Sequence, residues 1–274
     1  MKATGMSPIH WGVAIVLAAL ALPCAMAGAA DAAPPKAAEA AAPAPTATAD
    51  RPEKDWQFEL SLYGWLSAVS TTLRKGDVDT STYMSFGDIL HVLDFAGFLH
   101  LEAQHGKWGL FSELDYVKLS GSSQVRVPRI PLVRLDAGGG LKETIAELGG
   151  MRSFDGDRVG FDILGGARYI GMKVDATLGP LDMGADKDWV DPFVGGRLRF
   201  RLSEKWGMSL RGDVGGFGLG SDATYNAAAV LRYQISKSVA MGIGYRYLDI
   251  NYDKNGLNLD STTYGPVIGV AYTF

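Results

Sequence analysis

The stretch RLRFRLSEKWGMSLRGDV, Arg197 to Val214, decides the fold. Arg197, Arg199 and Arg201 alternate with Leu198, Phe200 and Leu202, the period of an extended strand with two unlike faces. The short turn Ser203-Glu204-Lys205 follows, and alternation resumes at Trp206. An arginine facing lipid costs ~2–4 kcal/mol at mid-membrane, less near the rims. A row of them would cost about as much as a whole domain is stable. If the strand crosses a membrane, its leucines and Phe200 meet hydrocarbon and its guanidinium groups point inward.

Outward from that stretch, the period of two holds almost everywhere from Trp56 to Phe274. It predicts about ten strands, at roughly 56–73, 95–106, 107–119, 140–154, 158–175, 188–203, 204–218, 223–236, 237–252 and 261–274. Short turns fall at 105–107, 154–158, 203–205 and 236–238; longer loops fall at 74–94, 120–139, 176–187 and 253–260, with a tighter one at 219–222. Short connections on one side and long ones on the other are how bacterial transmembrane barrels are built. The expected fold is therefore all-β: a transmembrane antiparallel up-and-down β-barrel of about ten strands, with eight or twelve as alternatives. Both termini then lie on the short-turn, periplasmic side of an outer membrane. After the leader no apolar run reaches the ~18 residues of a membrane helix.

Aromatic residues sort by strand end. Trp56, Trp108, Trp206, Tyr233, Tyr272 and Phe274 cluster at the short-turn end, and Tyr116, Tyr169, Tyr225, Tyr247 and Tyr264 at the other. All share the apolar face, as expected of two belts at headgroup depth.

The opposite parity defines a charged interior. Glu59, Glu102, Glu113, Asp115, Glu143 and Glu147 come from the first four strands. Arg168, Arg197, Arg199, Arg201, Arg211, Arg232 and Arg246 come from later ones, with Asp162, Asp191 and Asp213. Charges withdrawn from water need partners, and arginine pairs bidentately with carboxylates. The expectation is a lumen bridged by ion pairs, over glycines such as Gly109, Gly166, Gly195 and Gly244. Tyr63, Trp65, Phe98, Phe111 and Phe193 also point inward. Eight strands leave an interior just filled by side chains and 16–18 leave a water channel, so ten predicts a narrow or occluded path.

The beginning of the chain reads differently. Lys2, an apolar run from Trp11 to Met26 and the small-x-small triplet Ala25-Met26-Ala27 predict a signal peptide over 1–27. Residues 28–55, rich in Ala and Pro, predict a disordered periplasmic linker, leaving 56–274 for the barrel. Cys24, the single cysteine, falls in the leader, so the mature chain has no disulfide or thiolate chemistry. The net charge of -4 gives no footprint for nucleic acid.

One segment, SFGDILHVLD (85–94), breaks the period of two. Phe86, Ile89, Leu90 and Leu93 recur at helical spacing, and Ser85 with Asp88 has the form of a capping box. The reading is a short amphipathic helix in the first long loop, either a lid folded into the barrel mouth or a surface helix.

Nothing points to catalysis. After the leader only His91, His100 and His105 could serve as bases, and none has a placed nucleophile. G-x-S-x-G and His-x-x-x-His spacings are absent. GGFGLGSD (215–222) opens no helix, which makes it a bend at the barrel rim rather than a phosphate loop. DKNGLNLD (253–260) contains Asn255-Gly256, a hairpin signal, without the full ligand series of a calcium loop. No catalytic residue, cofactor or metal is expected.

DWVDPFVGGRLRFRLSEKWGMSLRGDVGGFGLGSD (188–222), GYRYLDINYD (244–253), TYGPVIGVAYTF (263–274), SLYGWLSAV (61–69) and SFGDILHVLDF (85–95) resemble a family of largely uncharacterised proteobacterial outer-membrane β-barrel proteins, porin-like in build. The resemblance spans 56–274 and implies fold and location, with no catalytic or ligand residues. Terminal Phe274, with Tyr272 two before it, is similar to the signal that such barrels present to the barrel-assembly machinery. Partners implied are outer-membrane lipid and lipopolysaccharide, with that machinery and periplasmic chaperones during biogenesis. The functional expectation is limited passive transport or an envelope-structural role. The alternative is a loop-mediated binding surface, for which Arg126, Arg129 and Arg134 are the candidates for lipopolysaccharide phosphates; an outer-membrane hydrolase is a third reading.

Overall fold

The computed structural model describes residues 55–75, 78–126, 134–178, 181–254 and 256–274. The leader, the linker up to residue 54, and Arg129 lie outside them. The strands are β1 (Gln57–Trp65), β2 (Ala68–Lys75), β3 (Val78–Met84), β4 (Leu93–His105), β5 (Trp108–Arg126), β6 (Arg134–Phe154), β7 (Val159–Leu178), β8 (Leu181–Arg201), β9 (Trp206–Gly215), β10 (Ala223–Gln234), β11 (Val239–Lys254) and β12 (Leu257–Thr273), with one helix, α1 (Phe86–Val92), between β3 and β4. Ten strands close a barrel: β1 pairs with β4 on one side and β12 on the other, and β4 to β12 follow in chain order, all antiparallel. Closure leaves no membrane-embedded edge, so the backbone is satisfied without water. The remaining two, β2 and β3, extend the sheet beyond the ring along β12.

The expected strand at 56–73 is two strands in one register along β12, with Trp65 opposite Val267 and Ala68 opposite Tyr264. Between them stands Pro266, which has no N–H to give, so the ladder lapses at Leu66 and Ser67. The Leu66 N–H still donates to the Pro266 carbonyl at 2.8 Å. Above that point β4 stays with β5 while β2 turns back into β3, a strand that lies within the expected loop at 74–94.

The other long connections are also mostly ladder. Pairing continues to Arg126 opposite Arg134, Leu178 opposite Leu181 and Lys254 opposite Leu257. Gly256, at φ 72°, supplies the left-handed residue expected of the Asn-Gly turn. A membrane crossing takes ~9–11 residues of tilted strand. The 10 residues of β9 match that length, whereas β8 has 21. The barrel thus has a low turn end and a tall end, with β5–β8 rising beyond the crossing.

Residues of the apolar parity form the outer surface. Leu198, Leu202, Leu110, Ile163, Val194 and Ile268 are all exposed, and the girdle residues Trp56, Trp108, Trp206, Tyr272 and Phe274 ring the turn end. Tyr169 and Tyr225 mark the other rim. Phe274 sits at the closing seam, where its backbone exchanges hydrogen bonds of 3.1 and 2.9 Å with Phe58, and its ring stacks on Phe58 at 5.6 Å.

Helix α1 is short because its apolar pattern ends where β4 begins. Ser85 Oγ accepts from the Asp88 N–H at 3.3 Å, and Asp88 accepts from the Ser85 N–H at 3.0 Å, completing the capping box. Its Ile89 is buried against Met84 and Leu119, with Val69, Val117 and Leu141 around them. Those neighbours lie on the lumen parity of their strands, so α1 covers the inside of the tall end. Of the other residues expected on its apolar face, Leu90 is exposed and Leu93 opens β4. Ser85→Ala is expected to cost about 1 kcal/mol, seen as faster limited proteolysis within 85–93 while the barrel core stays resistant.

Candidate functional site

The lumen is a stack of two chemically different layers. Toward the turn end, residues from opposite walls meet as ion pairs. Arg197 on β8 reaches across to Glu102 on β4 with two bonds, 2.9 and 3.3 Å, and holds Asp162 on β7 at 2.6 Å. Arg199 grips the same Asp162 through 2.7 and 3.0 Å bonds and reaches Asp155 at 2.8 Å. Arg232 on β10 makes a bidentate pair with Glu59 on β1, both bonds 2.8 Å. Such forks fix both distance and plane.

At mid-barrel the pairs merge into one network. Arg168 joins Glu147 at 2.8 Å and Asp213 at 2.6 Å, and adds Thr224 at 3.2 Å. Arg211 bridges Glu147, Asp213 and Glu113 at 2.7, 2.9 and 3.3 Å. Arg246 binds Glu113 at 2.6 Å and Asp115 at 2.7 Å, while the Tyr63 hydroxyl donates to the same two carboxylates at 2.7 and 2.5 Å. Aromatic rings cover the guanidinium planes: Trp65 lies 4.7 Å from Arg246, Phe193 5.0 Å from Arg168 and Phe111 5.4 Å from Arg211. Arg168, Arg246 and Asp162 are wholly buried. Burial makes each attraction strong and each missing partner expensive.

Closer to the tall end the lumen turns apolar. Trp65, Ile145, Ile170, Trp189, Leu248, Ile250, Tyr252 and Leu259 pack together, with Trp189 and Tyr252 rings 4.5 Å apart. Inward-facing Ile145, at odds with its neighbouring glutamates in the sequence, belongs to this layer. Above it comes the cluster under α1.

The structure brings Glu59, Glu102, Glu113, Asp115, Glu147, Asp162, Arg168, Arg197, Arg199, Arg211, Asp213, Arg232 and Arg246 into the buried interior. Three expected members, Arg201, Asp191 and Glu143, are placed differently. Arg201 has the inward parity but sits at the turn-end rim, exposed, because β8 ends there. Asp191 is buried, yet it accepts from the Ser221 N–H at 2.6 Å and so anchors the 216–222 loop rather than an arginine. Trp189 Nε1 donates to Ser221 Oγ at 2.8 Å beside it. A side chain at Gly220 would collide with Asp191 and Trp189, so only glycine lets this loop fold onto the lumen. Glu143, at the edge of the apolar layer, is half-buried.

Several partners escaped the sequence reading. Asn226 joins Arg246 at 3.3 Å and Asp213 at 2.8 Å, and the Met151 sulfur lies 3.1 Å from Arg197. Asn226 and Thr224 share the parity of Arg232 on β10, a signal that could have found them. His100 stands between Glu102 and Glu113, 3.7 and 3.5 Å away, with its ring stacked on Phe111. His91 and His105 are exposed. No group of three metal-ligating side chains gathers among the described residues.

No protein family and no curated protein matches this sequence. Among solved structures, the outer membrane protease OmpT from Escherichia coli is similar in fold, with a TM-score of 0.55 at 12% identity, over 80% of this chain and 97% of that one. The transport unit of the autotransporter AIDA-I from Escherichia coli matches with a TM-score of 0.42 at 10% identity, over 84% and 93% of the chains. Ail, the attachment invasion locus protein of Yersinia pestis, gives 0.35 at 10% identity, over 81% and 99%. The likeness to OmpT is one of fold alone: this chain is built as an outer-membrane β-barrel.

Proposed function

We propose that the protein is a non-conducting outer-membrane barrel with an envelope-structural role, its turn end and termini in the periplasm and its tall end outside the cell. The observation that carries this reading is the double filling of the lumen. Arg168, Arg197, Arg199, Arg211, Arg232 and Arg246 are each held by carboxylates, and an apolar layer lies over them. An ion crossing the barrel would have to part charge-assisted bonds and then enter a hydrocarbon-like plug, each step unfavourable. A ten-strand ring lies near the side-chain-filled end of barrel sizes. Passive transport of hydrated solutes does not suit such an interior.

Planar-bilayer recording of the purified, folded protein tests it. The expected trace is flat at ±100 mV in about 1 M salt, where screening shortens to ~3 Å. Regular conductance steps from the unaltered protein would overturn the reading and restore limited transport.

A further inference from the structure

The outer face of β5, β6 and β7 carries an arrangement that the lumen does not explain. Register places Lys118 directly opposite Lys142, and Lys142 directly opposite Lys173. All share the outward parity of Tyr116 and Tyr169 on the same strands. Neighbouring strands lie ~4.8 Å apart, so the stems of these lysines start within ~10 Å. Like charges directly opposite one another destabilise a sheet. Asp94 relieves Lys118 through a 2.8 Å bond; that bond, with one from Ser120, holds the Asp94 carboxyl below its ordinary range. Asp186 lies opposite Lys173. Lys142, in the middle, faces a lysine on either side.

Depth and shape give the row a purpose. Tyr116 lies two residues nearer the membrane than Lys118, and aromatic belts mark the headgroup level. The lysines therefore stand at the phosphate layer. Directly above them is a groove of about 260 Å³ lined by Lys118, Ser120, Gly140, Lys142, Asp175 and Thr177. At Gly140 an added Cβ would meet nothing closer than 3.6 Å, so the floor there is bare by sequence rather than by crowding. Asp175 stands opposite Gly140, which leaves the lysine end to the anion.

We infer that this groove binds the phosphate of an outer-leaflet lipid headgroup, with Lys142 in its lining as the principal cation, Lys118 lining it beside Asp94, and Lys173 flanking it on β7. The choice of leaflet rests on the orientation proposed above; the binding itself does not. A basic residue near a membrane surface contributes about fivefold in affinity for anionic lipid.

The test is native mass spectrometry of the folded full chain released from micelles doped with diphosphoryl lipid A or with phosphatidylcholine. Lipid A should be retained in preference to phosphatidylcholine. Lys142→Gln should weaken retention about fivefold, and the double variant Lys142→Gln/Lys173→Gln about 25-fold, while the Lys→Arg pair keeps it. Heat-modified gel mobility checks that each variant is folded, and the single substitution remains informative if the double one is not. Equal retention of both lipids, or indifference to the double substitution, overturns the proposal. Displacement of lipid A by millimolar inorganic phosphate would overturn it too, by making the groove a free-anion site. None of these results touches the bilayer trace, so the two proposals fail separately.

Discussion

Replacing Arg211 with methionine is expected to remove a large share of the barrel's stability. Its guanidinium holds Glu113, Glu147 and Asp213, and removing it leaves carboxylates from three strands short of a partner inside the barrel. Breaking a buried pair by deleting one member costs ~3–5 kcal/mol. Native stability is commonly ~5–15 kcal/mol in all. A urea titration in detergent, followed by tryptophan fluorescence and heat-modified mobility, would show the loss. The charge-matched variant Arg211→Met/Glu147→Gln should recover much of it, because one anion leaves with the cation while Arg168 keeps Asp213. A loss below about 1 kcal/mol in Arg211→Met, the level of one ordinary hydrogen bond, would show that the lumen network does not hold the walls together.

Leu198→Arg probes the opposite face and should cost ~2–4 kcal/mol. Leu198 pairs with Leu210 and Phe161, midway between the Trp206 and Tyr225 rims, where a guanidinium finds neither water nor headgroups. The same change at Leu202, exposed at the turn end, should cost ~0–1 kcal/mol. The gradient matters more than either value. Equal, small costs at both positions, measured by the same titration, would mean that this face meets water.

The two substitutions differ in how much of their logic was open to sequence reading. Face parity is a local property, since residues two apart point the same way whatever the rest of the chain does. The lipid-facing role of Leu198, the inward turn of Arg197 and Arg199, and the girdle of Trp108 and Trp206 could all be read from neighbours alone. Strand boundaries at the turn end were legible for the same reason. At the tall end they were not. There both faces of β8 meet water over 184–188, the alternation fades, and Gly, Ser, Thr and Asp read as loop although the ladder continues to Leu178 and Leu181.

Composition and periodicity by themselves determined a closed antiparallel barrel of about ten strands, its apolar outside and its charged inside. Which charge meets which was decided only in three dimensions. Tyr63 and Arg246 stand 183 residues apart and touch because strand tilt and closure bring β1, β5 and β11 to one level of the lumen. The same closure carries Arg201 to an exposed rim, turns Asp191 toward a loop amide, and stacks an apolar layer above the ion pairs. Local spacing sets the direction in which a side chain points, and the ring sets the height at which it arrives.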